Sequence, residues 1–283
     1  MISGETLLTG VFGDPVEHSR SPVMHNAAYE ELGLDRVYLP FHVRSDQLRH
    51  ALAGIPALGL LGVNVTVPHK ERAVGMVHWI SREGRKLGAI NCVVNRSGRL
   101  YGDNTDARGL EADLRSFKLA IAGKRAIVIG AGGAAAAAML GISRLGARPI
   151  VLANRTRSRA LLLARRLRPI EPQVITLGSL IDPEIVGEAA IIVNATSAGL
   201  RDSIFPALNY AATPKECFFY DLIYAPEPTP FLQPARQLNR RSSDGRGMLV
   251  HQGALAFELF NRCEAPVEVM RDALFKSLGD ARS

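Results

Sequence analysis

Ala126-Ile-Val-Ile-Gly-Ala-Gly-Gly-Ala-Ala-Ala136 starts as an apolar, β-branched run and passes through glycines into an alanine-rich stretch. The first four residues suit a buried strand. The remainder, Gly130-Ala-Gly-Gly-Ala-Ala-Ala136, has the Gly-x-Gly-x-x-Ala spacing of a turn that opens a helix. Gly130 and Gly132 permit the tight turn and let the backbone approach a pyrophosphate, and small Ala135 lets the helix pack close to the strand. A glycine pattern alone also fits a merely tight structural turn. The strand before it and the helix after it favour a dinucleotide site. The nearly apolar stretch 126–142 is short for a membrane span and holds four glycines, so it reads as a strand leading into a packed helix.

Working outward, apolar strand-like runs recur at 7–12, 37–42, 62–67, 89–94, 126–129, 150–153, 191–194 and 218–221. Between them, 22–32, 107–117, 134–145 and 157–167 carry apolar residues three and four apart, the helical interval. This alternation predicts an α/β fold with mostly parallel sheets covered by helices. Gly123-Lys124 restarts the pattern after 116–124, where a domain boundary is expected. A second boundary is expected in the turn-rich Ser242-Ser-Asp-Gly-Arg-Gly247.

The whole chain sets outer limits. Its 283 residues allow two domains of ordinary size. Cys92, Cys217 and Cys263 have no paired spacing, so neither a disulfide framework nor a zinc site is indicated, and a cytoplasmic protein with reduced thiols is expected. The first residues lack the pattern of an export signal. A net charge of +7 suits nucleic acid, anionic lipid or small acidic ligands. With 6% aromatic residues and no basic run interleaved with aromatics, nucleic-acid binding is not expected. His18 and His25 have no carboxylate-rich cluster around them, so no metal is expected.

The choice of dinucleotide follows from a missing charge. An NAD site normally places Asp or Glu about twenty residues beyond the glycines, on the ribose 2′-hydroxyl. Here the second strand ends Ala153-Asn-Arg-Thr-Arg-Ser-Arg159, and no acidic residue occurs from 130 to 170. Arg155, Arg157 and Arg159 suit the 2′-phosphate of NADP, the alternative being a solvated basic helix start.

At the other end of the logic stands Gly62-Val-Asn-Val-Thr-Val-Pro-His-Lys-Glu71, where Val63, Val65 and Val67 alternate with polar partners and Pro68 stops the strand. Its polar end is a solvated edge or the floor of an active site. His18-Ser-Arg-Ser-Pro-Val-Met-His-Asn26, Asn64-Val-Thr-Val-Pro-His-Lys70, Gly88-Ala-Ile-Asn91 and Gly102-Asp-Asn-Thr-Asp106 occur in that order. They are followed by Gly130-Ala-Gly-Gly-Ala134, Asn154-Arg-Thr156, Asn194-Ala-Thr-Ser197, Tyr220-Asp-Leu-Ile-Tyr224 and Asp244-Gly-Arg-Gly-Met-Leu-Val-His-Gln252. In number and order these motifs resemble those of the shikimate dehydrogenase family over nearly the whole chain.

The resemblance implies two lobes with the active-site cleft between them. One is an open, mostly parallel α/β substrate domain, 1–105 with 247–283; the other is a Rossmann-like NADP-binding domain, 106–246. It implies NADPH-dependent reversible reduction of 3-dehydroshikimate to shikimate, on the route to chorismate and aromatic amino acids. Lys70 exchanges a proton with the substrate oxygen, with Asp106 beside it. Ser19, Ser21 and Tyr224 take the substrate carboxylate, and Thr66, Asn91, Asp106 and Gln252 its hydroxyls. Gly130, Ala131, Gly132, Gly133, Ala134, Asn154, Arg155, Thr156, Arg159 and Thr196 hold NADP(H), with Leu222, Gly245 and Met248 near the nicotinamide. A small-molecule substrate is the expected partner, without nucleic acid or membrane, in a monomer or homodimer. The chemistry agrees independently, because hydride delivery to a ketone leaves an alkoxide that needs a proton or a cation. Two rivals stay open: a quinate/shikimate or aminoshikimate dehydrogenase, and a silent NADP-binding sensor. Departures from the family pattern are Ala107 where glycine is frequent and Leu222 where methionine is frequent; His69, beside Lys70, is expected to be structural.

Overall fold

The computed structural model describes residues 2–198, 205–225 and 227–279. The chain forms two compact units, Met1–Thr105 with Leu249–Ser283 and Asp106–Met248. The first break falls at Thr105–Asp106, ahead of 116–124, where the apolar pattern alone put a boundary. The helix at Asp106–Ser116 belongs with the second unit because it packs on the helix at Gly133–Arg144. A Cβ on Gly141 would stand 2.9 Å from the Ala107 carbonyl oxygen, so the contact is backbone to backbone. Ala107 is buried there and the helix starts at Asp106.

The first unit contains β1 (Leu7–Gly13), α1 (Ser21–Glu31), β2 (Arg36–His42), α2 (Leu48–Ala57), β3 (Gly62–Val65), β4 (Trp79–Ile80), α3 (Arg82–Leu87), β5 (Cys92–Arg96) and β6 (Arg99–Asp103). Its sheet has the order β2-β1-β3-β5-β6-β4. Strands β1, β2 and β3 pair in parallel, whereas β5 is antiparallel to both β3 and β6. The β5–β6 hairpin turns through Ser97 and Gly98, both at positive φ (51° and 84°), a pair that a two-residue loop with the right twist requires. All four residues of β3 are buried, so it is covered on both faces; it ends at Val65, and Val67 is exposed. The alternation of valines therefore reads as a one-faced strand only in sequence.

The second unit contains α4 (Asp106–Ser116), β7 (Arg125–Ile129), α5 (Gly133–Arg144), β8 (Ile150–Ala153), α6 (Arg157–Arg166), β9 (Gln173–Ile175), α7 (Pro183–Val186), β10 (Ala189–Asn194), β11 (Phe218–Asp221), α8 (Leu232–Gln237) and β12 (Ser242–Ser243). Then α9 (Arg246–Asn261) begins, and from Leu249 its residues, with α10 (Val267–Ser277), belong to the first unit. The second sheet is parallel in every pair and runs β12-β11-β10-β7-β8-β9. Counted from β7 this is the doubly wound order, with the direction of winding reversing between β7 and β10. Both faces are covered, which is why β7 from Ala126 onward and all of β8 are apolar.

Each unit buries its own core. In the first, Val11, Met24, Tyr29, Tyr38, Phe257 and Phe260 fill one cluster, and Phe12, Leu52, Ile55, Val63, Val65 and Ile90 another. In the second, Ile127, Ile129, Val151, Ile192, Phe219 and Phe231 do the same. Among the described residues no helix is long and apolar enough to cross a membrane, and no group of three or more His, Cys, Asp or Glu is placed to hold a metal.

Candidate active site

In the second unit the expected cofactor residues gather at the carboxyl ends of the strands. Gly130 ends β7 at φ 121°, a conformation side chains rarely adopt, and a Cβ there would lie 2.8 Å from the Ala195 carbonyl oxygen and 3.1 Å from Thr196 Cγ2. It therefore sits where the sheet reverses, between β7 and β10, the crevice in which such sheets take ligands. Gly132 is different: it is exposed, and a Cβ on it would meet nothing within 4 Å. The protein itself does not need a glycine at 132, so the open space suits a ligand approaching the backbone. Gly132 also caps α5 with no side-chain hydrogen bond, leaving first-turn N–H groups near Gly133 and Ala134 available to an anion. The residues present fit a dinucleotide pyrophosphate.

The neighbouring strand ends complete that surface. Asn154, after β8, donates from Nδ2 to the Thr156 carbonyl (2.8 Å) and shapes the start of α6. Arg155, Arg157 and Arg159 are exposed there and form no ion pair among the described residues. After β10, Asn194 Oδ1 accepts from the Thr196 amide (3.0 Å) and hydroxyl (2.7 Å). Asn194 Nδ2 donates to Asp221 Oδ1 at 2.9 Å. Asp221 is fully buried at the end of β11 and also accepts from the Ile223 amide (3.0 Å) and the Thr229 hydroxyl (2.5 Å). Burial pushes its carboxyl up to about 6 against the pull of those three donors. It thus ties down the segment that carries Leu222 and Tyr224, both half-buried. Gly245 packs so close to the Leu222 carbonyl that no Cβ would fit, and Met248 follows in the first turn of α9. Asp106, 5% exposed, is the first residue of α4.

In the first unit two pairs of the expected substrate residues, Ser19 with Ser21 and Asn91 with Gln252, are joined by hydrogen bonds. Ser21 opens α1 with its amide 3.4 Å from Ser19 Oγ. Thr66 follows β3, its amide bonded to the Phe12 carbonyl (2.9 Å) and its methyl against Gly13, where a Cβ would come within 2.5 Å. Lys70 is half-buried at the end of the next turn, and its carbonyl accepts the Ile90 amide at 2.9 Å. His69 points the other way: its Nε2 lies 2.7 Å from the Val43 carbonyl in a fully buried position, a structural role. Asn91 is 2% exposed, accepts the Thr105 amide on Oδ1 (2.8 Å), and donates from Nδ2 to Thr105 Oγ1 (2.9 Å) and Gln252 Oε1 (3.2 Å). Thr105 Oγ1 in turn donates to the Gln252 carbonyl at 3.0 Å.

Several members of these networks escape sequence reasoning as site residues: Thr105, Asn194 and Asp221. All three lie within the quoted motifs, and a polar residue ending an apolar strand, such as Asn194 or Asp221, is a signal that a buried partner is waiting.

Family models match in three parts: "Shikimate dehydrogenase substrate binding domain" over residues 11–93, "Shikimate / quinate 5-dehydrogenase" over 113–222 and "Shikimate 5'-dehydrogenase C-terminal domain" over 245–275. A shikimate dehydrogenase (NADP(+)) of Symbiobacterium thermophilum is 41% identical, the match covering 97% of this chain and 96% of the relative. The crystal structure of shikimate dehydrogenase from Aquifex aeolicus superposes with a TM-score of 0.89 at 35% identity, covering 97% of this chain and 99% of that one. That of shikimate 5-dehydrogenase from Thermus thermophilus, in complex with NADP(H) and shikimate, gives 0.86 at 35% identity over 96% and 100%. With matches along nearly its whole length, a two-unit fold shared with those structures and a crevice for a dinucleotide at the sheet reversal, this chain belongs to the shikimate dehydrogenase family.

Proposed function

We infer that this chain catalyses the reversible, NADPH-dependent reduction of 3-dehydroshikimate to shikimate. The observation that carries the reading is the full-length similarity to NADP-linked shikimate dehydrogenases, one of them solved with both NADP(H) and shikimate. Two local features support NADP over NAD. No acidic residue follows β8 before position 171, and three exposed arginines stand at the start of α6.

Bound NADPH supplies the hydride that attacks the ketone carbon. The residues of this chain supply orientation and the proton. As the carbonyl oxygen gains charge, the Lys70 ammonium donates a proton to it; in the reverse direction the Lys70 amine takes the proton from the hydroxyl. Asp106 accepts a hydrogen bond from a ring hydroxyl. Ser19, Ser21 and Tyr224 hold the carboxylate, while Thr66, Asn91 and Gln252 hold hydroxyls, so a small polar ring is fixed in one orientation. For Asn91 and Gln252 the support is their mutual hydrogen bond, which fixes both amides before a ligand arrives. Cys92, Cys217 and Cys263 are free thiols, which fits the reducing conditions of a cytoplasm.

The test is a spectrophotometric assay of NADPH oxidation with 3-dehydroshikimate, and of NADP+ reduction with shikimate. Turnover with quinate or with NAD exceeding that with shikimate and NADP would assign the chain to the quinate branch. Binding of NADP+ without turnover on any of these rings would make it a sensor.

A further inference from the structure

The motif His18-Ser-Arg-Ser-Pro-Val-Met-His-Asn26 contains more than the serine pair uses. His25 and Asn26 have no part in the chemistry above, yet both converge on one residue of β2, Tyr38. The His25 ring stacks on the Tyr38 ring, centroids 4.1 Å apart and 17° from parallel. Asn26 grips the Tyr38 backbone from both sides, accepting its amide on Oδ1 (2.8 Å) and donating from Nδ2 to its carbonyl (3.0 Å). Two residues of α1, the helix that Ser21 opens, thus hold a tyrosine that is completely buried.

The hydroxyl faces onward as well. It lies 2.7 Å from Asn64 Oδ1, and Asn64 Nδ2 donates to the Asn91 carbonyl at 3.0 Å. Since Nδ2 must face that carbonyl, Oδ1 faces Tyr38, and the tyrosine proton is committed to Asn64. The Asn91 backbone is held a second time by the Val65 amide (2.9 Å). Helix α1, which carries Ser21 at the carboxylate end of the proposed ring site, is therefore tied to Asn91 and Gln252, at its hydroxyl end, by way of Tyr38 and Asn64.

We propose that Tyr38 is a positioning residue for the ring substrate, its hydroxyl fixing Asn64 and through it the Asn91–Gln252 pair relative to α1, with His25 and Asn26 fixing the tyrosine itself. The inference rests on the substrate reading given above and deepens it. His25 suits the task as a flat ring: both its nitrogens are buried without a hydrogen-bond partner, and burial pushes its basicity down to about 3, so it stays neutral.

Tyr38→Phe removes one oxygen and leaves Asn64 Oδ1 without its donor. The unpaired atom lowers stability, as any such loss does, and it also frees Asn64 to turn, which loosens its hold on the Asn91 backbone. The expected result is a rise of about tenfold in KM for shikimate, with the dissociation constant of NADP+ unchanged. Tyr29→Phe is the control, because Tyr29 is also buried in the same core and its hydroxyl bonds Thr9 Oγ1 at 2.8 Å. It should lower the melting temperature comparably and leave KM for shikimate alone. His25→Phe should retain the wild-type KM by preserving the stack, whereas His25→Ala should raise it several-fold. Equal KM values for Tyr38→Phe and wild type, or an equal rise in Tyr29→Phe, would overturn the inference in an enzyme that works. Absence of wild-type turnover with shikimate and NADP+ would instead overturn the functional reading, and this one with it.

Discussion

Replacing Asp221 by asparagine should change how stability depends on pH, and the amount follows from its surroundings. The carboxylate is fully buried and accepts from Asn194 Nδ2, the Ile223 amide and the Thr229 hydroxyl. An asparagine of the same shape keeps two of these with its carbonyl oxygen and can donate to the third partner. What it lacks is the charge. In the unfolded chain the carboxyl ionises near 3.8; in the fold, burial raises this to about 6, and Asp244 adds repulsion in the same direction. Below 3.8 both states hold the proton, and above about 6 both have lost it. Between these values the folded form keeps a proton that the unfolded form has released. The contribution to stability is therefore complete at low pH and is lost as pH rises through about 6. A shift of about two units at about 1.36 kcal/mol each amounts to about 3 kcal/mol. For a unit the size of Asp106–Met248, this corresponds to roughly 6 to 12 °C in melting temperature. The assay is thermal unfolding of wild type and Asp221→Asn from pH 4 to pH 7.5, in which every other titrating group cancels in the difference. The variant should gain on wild type by that amount over the range. A constant offset between the two curves would refute the reasoning.

Lys70→Met and Lys70→Ala should each lower kcat on the order of 10² to 10⁴, with the dissociation constant of NADP+ unchanged; retention of most of the turnover by both would remove the proton-transfer role. Exchanging Arg155 and Arg159 together for alanine should raise KM for NADPH while leaving that for 3-dehydroshikimate near its wild-type value. Steady-state kinetics with each substrate varied in turn checks this, and an unchanged KM for NADPH would free those arginines from the 2′-phosphate.

The strand–turn–helix around Gly130 is legible from sequence because its constraints are local: a strand covered on both faces must be apolar, and a turn at φ 121° must be glycine. The same holds for β8 and β11, whose observed bounds match the apolar runs at 150–153 and 218–221. Short edge strands are not legible. Two-residue β4 and β12 and three-residue β9 are too brief to show a period, and they exist because a neighbouring strand offers a free edge. The antiparallel β5–β6 hairpin did carry a signal in Ser97-Gly98, hidden by the expectation of parallel strands. In the site, the residues quoted in motifs were visible, but the hydrogen bonds among them were not. Tyr38 and Asn64 are 26 residues apart, and Asn91 and Gln252 are 161 apart, so their pairing is a product of the folded sheet and not of any local pattern.

The most direct test of the proposed reaction follows the transferred atom itself. NADPH carrying deuterium at the reactive position of its nicotinamide is incubated with the protein and 3-dehydroshikimate, and the product is weighed by mass spectrometry. One deuterium on the carbon that was the ketone, in shikimate formed one for one with NADP+, is the predicted result. Shikimate without the label, or NADPH consumed without shikimate, would contradict hydride transfer at this site.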